Sequence, residues 1–126
     1  MFTFDEYQIN ARRTQDQNLA AHFKLDHALC GLASEVGEVL GCYQKTYQGH
    51  NLDLNKVVDE MGDVLWMLAE LSDIIGVPLS SIASRNNEKL MERYPNGFEA
   101  DRSVRRDEYA AKGAEMAVRA AEKGQG

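Results

Sequence analysis

The chain has 126 residues and a mass of 14.1 kDa, the size of one ordinary domain with a single core. Its 14 Lys and Arg against 20 Asp and Glu give a formal charge of -6, a sign that argues against tight binding of bare nucleic acid, where affinity comes largely from cations that displace counterions. With 44% hydrophobic and 27% charged residues the composition is that of a folded protein and not a disordered one.

Only two prolines occur, Pro78 and Pro95, and the long stretches between breaker clusters show period 3.6 without alternation, so an all-α chain is expected. A first short helix is predicted from about Phe4 to Arg13, followed by a polar segment from Thr14 to Lys24. The second helix, Leu25 to Tyr47, carries Leu29, Leu32, Val36, Val39, Leu40 and Tyr43 as one stripe and stops at Gln48-Gly49-His50-Asn51. A third begins after Asp53 as N-cap, carries Leu54, Val57, Val58, Met61, Val64, Leu65, Leu68, Leu71 and Ile75, and ends at Gly76-Val77-Pro78. The fourth runs from about Leu79 to Tyr94, before Pro95-Asn96-Gly97. The tail from Ser103 to Gly126 favours helix by propensity, but Gly113 interrupts it and no strong apolar stripe appears, so a marginal, exposed helix is expected.

The apolar run Val64 to Ala69 covers the whole circumference of the third helix, which places that helix centrally or under a second subunit; a homodimer or larger assembly is expected. The same run is the longest in the chain and far short of the roughly twenty residues of a membrane span. The start, Met-Phe-Thr-Phe-Asp-Glu, has acids where a secretory signal has a basic region, so the expected location is cytoplasmic. Cys30 and Cys42 fall on one helix about 18 Å apart at 1.5 Å per residue, too far for an intrachain disulfide. His22, His27 and His50 share no zinc-ligand spacing with them.

An internal similarity stands out: Ser34-Glu35-Val36-Gly37-Glu38-Val39-Leu40 matches Asp59-Glu60-Met61-Gly62-Asp63-Val64-Leu65. At about 100° per residue, Glu35 and Glu60 each lie at the edge of their helix's apolar stripe, a costly place for a carboxylate without a compensating cation. A short connection makes the two helices antiparallel neighbours folding back near His50. Counted outward from that turn, Glu38 comes level with Asp63, and Glu35, Glu38, Glu60 and Asp63 fall within about 9 Å along the axis. Oxygen-only ligation selects a hard ion, magnesium or manganese. A di-iron bundle would supply Glu-x-x-His pairs, which this chain lacks. Gly31, Gly37, Gly41 and Gly62 each cost about 1 kcal/mol within a helix relative to Ala, which close approach of a helix or ligand would explain. The fourth helix places Asn86, Lys89 and Arg93 on one face, and together with Lys45 they suit phosphate oxygens. Acids for a metal and cations for phosphate point together to a polyphosphate substrate.

Glu35-x-x-Glu38 and Glu60-x-x-Asp63, with Gly62-Asp63-Val64-Leu65-Trp66, Asn86-x-x-Lys89-x-x-x-Arg93-Tyr94-Pro95 and Phe4-x-x-Tyr7-Gln8, resemble the MazG-like all-alpha nucleoside triphosphate pyrophosphohydrolases. The resemblance spans about residues 3 to 107, which implies a domain over 1–107 with an extension over 108–126. It implies that the four carboxylates ligate magnesium and that water attacks the α-phosphorus, releasing nucleoside monophosphate and pyrophosphate. Glu35 or Glu38 is then the candidate for orienting the water. Lys89 and Arg93 would hold phosphates, with Lys45 beside them and Asn86 on sugar or phosphate, in a homodimer or homotetramer of helical hairpins. Trp66 and Tyr7 suit the core better than a base pocket. The alternatives are a phosphoribosyl-ATP pyrophosphohydrolase and, from another class, a non-catalytic helical module that senses nucleotide or metal.

Overall fold

A computed structural model describes residues 1–124 and is helical throughout, with no β-strand among the described residues. In chain order it contains α1 (Phe4–Arg12), α2 (Ala21–Gln44), a 3-10 turn (Lys45–Gln48), α3 (Leu54–Ile75), α4 (Leu79–Arg93), α5 (Ala100–Val104) and α6 (Arg106–Lys123). None of these helices is by itself long and apolar enough to cross a membrane. The chain divides into two compact units, Met1–Ser81 and the residues from Ile82 onward.

Local chemistry sets the element ends in the first unit. Thr3 and Glu6 form a reciprocal cap at the start of α1: the Glu6 N–H donates to Thr3 Oγ1 (3.2 Å) and the Thr3 N–H to Glu6 Oε2 (2.8 Å). Asp53 caps α3 as expected, accepting from the backbone N–H groups of Asn55 and Lys56. At its other end Gly76 turns left-handed at φ 69° and closes the helix. α2 starts four residues earlier than its apolar pattern suggests, because its N-cap, Ala20, contributes no side-chain hydrogen bond that a reader of the sequence could recognise. It also ends earlier: the chain tightens into the 3-10 turn at Lys45 and reverses at Gly49, whose φ of 87° suits glycine.

α2 and α3 form an antiparallel hairpin. Its pairs are His27 Nδ1 with Glu70 Oε2 at 3.0 Å and Gly31 with Met67, where a Cβ on Gly31 would lie 2.5 Å from the Met67 sulfur. Gly31 and Met67 are equally far from Gly49 along the chain, as are Glu35 and Asp63. The pivot is therefore Gly49, next to His50 as expected, but the helices stand about 4.5 Å, three residues, out of the expected register. The 3-10 turn is the cause, since it takes up four residues on the α2 side.

α1 lies along the C-terminal half of α3. Gln8 is buried and ties three segments together: its side-chain N–H donates to Ser72 Oγ and Asp73 Oδ1, and its carbonyl accepts from the Leu79 N–H at 2.8 Å. Arg12 pairs with Asp73, and the Trp66 indole N–H donates to Thr14 Oγ1 at 2.8 Å. Tyr7, Leu65 and Trp66 pack on a core of Ala11, Ala69 and Leu79, so Tyr7 and Trp66 have the structural role expected of them.

The core is small. Among the described residues the buried hydrophobics are Ala11, Ala28, Cys42, Ala69 and Leu79. Val64 to Ala69 is not enclosed on all sides within one chain: Ala69 is buried, Val64 to Met67 are half-buried, and Leu68 is exposed. The apolar set of α3 splits into inward residues, Val57, Val64, Leu65 and Leu71, and an outward row, Leu54, Val58, Met61, Leu68 and Ile75. α2 has a matching outward row of Leu29, Val36, Leu40 and Tyr43, continued by Tyr47. The glycine expectation is corrected at three of four positions: only Gly31 is approached by a neighbour, while Gly37, Gly41 and Gly62 face open space. Cys30 and Cys42 are both free thiols.

In the second unit α5 and α6 replace the single marginal helix expected for the tail, and Gly113 sits inside α6 without breaking it. Gln125 and Gly126, the end of that expected helix, lie outside the described residues. Arg102 of α5 donates through Nε to the Arg93 carbonyl (2.5 Å), capping α4, and its guanidinium lies 4.3 Å from the Tyr109 ring centre. Asp101 accepts from Arg105 and from the Tyr109 hydroxyl (2.7 Å).

Candidate active site

Glu35 projects from the middle of α2, and Glu60 and Asp63 from the facing stretch of α3. Each offers one carboxylate oxygen, and all three oxygens lie within 4.8 Å of one another. Glu35 and Glu60 are half-buried and Asp63 is exposed, so the group sits at a rim where solvent enters and the apolar interior begins. Glu38, expected level with Asp63, lies on the exposed surface outside this group. The register explains the difference: with Gly49 as pivot, Asp63 comes level with Glu35, one turn below Glu38.

Like charges this close are compensated only in part. Lys56, one turn before Glu60 on α3, brings Nζ to 3.5 Å from Glu60 Oε1. Sequence reasoning passed over Lys56, though its i,i+4 spacing to Glu60 is a readable signal. Tyr7 of α1 is a second neighbour: burial first, and then the Asp63 carboxylate, push its phenol above the ordinary value of 10.0. It therefore keeps its proton at neutral pH. Asp59 stands outside the group and is exposed. Gly37 and Gly62, one in each motif, face open space on their own helices.

The donor set is chemically simple. Three carboxylates and no imidazole or thiolate suit a hard divalent cation bound through oxygen. Lys45 begins the 3-10 turn, is exposed, and makes no ion pair among the described residues. Asn86, Lys89 and Arg93 lie along α4 in the second unit, where Lys89 and Arg93 line a cavity and Asn86 is exposed. Sequence reasoning also missed Glu70, which is buried against His27; nothing in its spacing separates it from the solvated acids.

Comparison with known proteins bears on this arrangement. A family model described as the MazG nucleotide pyrophosphohydrolase domain matches residues 23–98, a span that includes both halves of the acidic group and all of α4. The chain is also 30% identical over 78 residues to "Gene 37 protein" of Mycobacterium phage L5, an alignment covering 58% of this chain and 68% of that protein. No solved structure matches.

Proposed function

Since the chain belongs to the family of the MazG nucleotide pyrophosphohydrolase domain, we propose that it hydrolyses nucleoside triphosphates of the cytoplasmic pool between the α- and β-phosphates, in the presence of Mg2+ or Mn2+. The observation that carries this reading is the convergence of Glu35, Glu60 and Asp63 from two helices onto one rim. In this reading those three carboxylates hold the cation. When bound, it neutralises charge developing on phosphate oxygens and lowers the pKa of nearby water.

The protein's own groups do the rest. Glu38, exposed one turn beyond Glu35 and outside the acidic group, orients the attacking water and accepts its proton. The water oxygen bonds to the α-phosphorus, the bond to the α–β bridging oxygen breaks, and nucleoside monophosphate and pyrophosphate leave. Lys89 and Arg93 hold phosphate oxygens, with Lys45 and Asn86 as further contacts on phosphate or sugar.

The functional form is a homo-oligomer, a dimer or tetramer. The five buried hydrophobics among the described residues, four of them no larger than cysteine, are too few to stabilise a chain of this length. The outward rows on α2 and α3 repeat at helical spacings of three, four and seven residues, the pattern of a face that pairs with another hairpin. A second copy supplies that hairpin.

The test is a panel of ribo- and deoxynucleoside triphosphates incubated with Mg2+, the products separated by ion exchange. Monophosphate plus pyrophosphate from one or a few of them supports the reading. Diphosphate plus phosphate refutes attack at the α-phosphorus. No release from any of them brings phosphoribosyl-ATP, and then a non-catalytic nucleotide or metal sensor, to the front.

A further inference from the structure

The residues from Ile82 onward contain a cavity of about 520 Å3 between α4 and α6, within the range of small-ligand sites. Its charged lining is Lys89 and Arg93 from α4 and Arg106 from α6, against the single carboxylate of Glu92. Such an excess of cations is unusual in a chain of net charge -6. It follows a segregation along the sequence: residues 1–81 carry five Lys and Arg against twelve Asp and Glu, and the remainder nine against eight. None of Lys89, Arg93 and Arg106 makes an ion pair among the described residues, so their charge is not neutralised by neighbours.

The α6 wall is held in place by a network that sits beside the cavity. Arg102 caps the carbonyl of Arg93 and stacks on Tyr109, whose hydroxyl is fixed by Asp101. This chain of contacts links the end of α4, where two of the cations lie, to the turn of α6 that follows Arg106. Ala110, Gly113 and Ala114 have side chains too small to fill the space opposite α4. α6 lies wholly outside the matched span 23–98, so nothing in the family match accounts for it.

We propose that the cavity between α4 and α6 binds the phosphate chain of a nucleoside triphosphate, with Arg106 as a binding residue that this chain adds from its C-terminal helix and Tyr109 as a positioning residue acting through Arg102. The choice of ligand rests on the proposed function; the cavity's preference for a polyanion does not. Arg106 presents a planar guanidinium suited to bidentate phosphate contact, and Glu92 opposes anion binding at the same site.

Full-length protein titrated with inorganic tripolyphosphate by isothermal titration calorimetry, without divalent metal, tests the cavity apart from catalysis. Arg106→Gln is expected to weaken binding about fivefold and Glu92→Gln to tighten it by a similar factor. Arg119→Gln, the same charge change on the same helix outside the cavity lining, is expected to have less than a twofold effect. Loss of Arg106 raises KM for the triphosphate and leaves kcat unchanged; Tyr109→Ala does likewise, and Tyr109→Phe, which keeps the ring under Arg102, restores most of the affinity. Equal effects of the Arg106 and Arg119 substitutions, no tighter binding by the Glu92 variant, or no tripolyphosphate binding at all would overturn the proposal. Tripolyphosphate binding that depends on Arg106 in a protein that cleaves no triphosphate refutes the proposed function and leaves the anion cavity standing. Cleavage with a KM indifferent to Arg106 does the reverse.

Discussion

Asp63→Asn gives the acidic group a signature in stability with the opposite sign to most substitutions. Asp63 faces both Glu35 and Glu60 with carboxylate oxygens within 4.8 Å. At that separation each like-charge pair is unfavourable by about 0.9 kcal/mol under water-like screening, and two pairs by about 1.7 kcal/mol. Half-burial of Glu35 and Glu60 raises the figure, and Lys56 beside Glu60 lowers it. Removing the Asp63 charge is thus expected to stabilise the metal-free protein by about 1–2 kcal/mol, a rise in Tm of about 3–8 °C. Bound metal inverts the ranking. If Mg2+ at about 100 times its Kd stabilises the native protein by about 2.7 kcal/mol, the unsubstituted chain gains this on metal addition and the variant gains little. Differential scanning calorimetry in EDTA and in MgCl2 at matched ionic strength reads both effects, with Asp59→Asn as a charge-matched control outside the group. An Asp63→Asn protein that melts lower than the parent in EDTA, or that keeps the full Mg2+ response, would refute the assignment.

Other substitutions separate the remaining roles. Glu38→Gln is expected to lower kcat by at least 100-fold while the Mg2+-induced rise in Tm persists, which steady-state kinetics and calorimetry check together; loss of both would place Glu38 among the metal ligands. His27→Ala leaves the Glu70 carboxylate buried without its partner and should cost about 1–3 kcal/mol in urea unfolding, with His27→Gln recovering part of it. Asp73 is held below its ordinary value of 3.8 chiefly by the Arg12 guanidinium hydrogen-bonded to it, and further by Gln8. A carboxylate with a lowered folded pKa stabilises the fold above its unfolded pKa, and that contribution is lost as pH falls through the folded value. Asp73→Asn should therefore be less stable than the parent at pH 7, with the difference vanishing once both carboxyl states are protonated, as urea midpoints measured across the acid range will show.

Much of the fold is legible because its signals are local. Asp53 announces α3, Gly76 closes it, and the apolar spacing of α2 and α3 makes them helices without help from elsewhere. Three of the four motif acids come together because both copies sit on facing helices. What escaped the sequence is relational. The Ala20 start of α2 carries no capping side chain, and Tyr47 continues the helical pattern into a segment that tightens into a 3-10 turn. That one change of winding moved the register and put Glu35, in place of Glu38, opposite Asp63. The division of the α3 apolar residues into inward residues and an outward row was likewise hidden, since one broad stripe serves both. The α6 wall of the cavity had no readable signal, because its small residues resemble those of any solvated helix.

The connection from Lys45 to Asp53 contributes no carboxylate to the acidic group, yet its winding is the ruler by which that group is measured. Winding Lys45–Gln48 as α-helix and not as a 3-10 turn would lengthen α2 and slide the pairing with α3 by about 4.5 Å, three residues. Each helix would keep its own spacing of acids, while Glu60 and Asp63 moved away from Glu35. For the acidic rim, the winding of the chain before the Gly49 reversal is as much a constraint as the identity of the residues that line it.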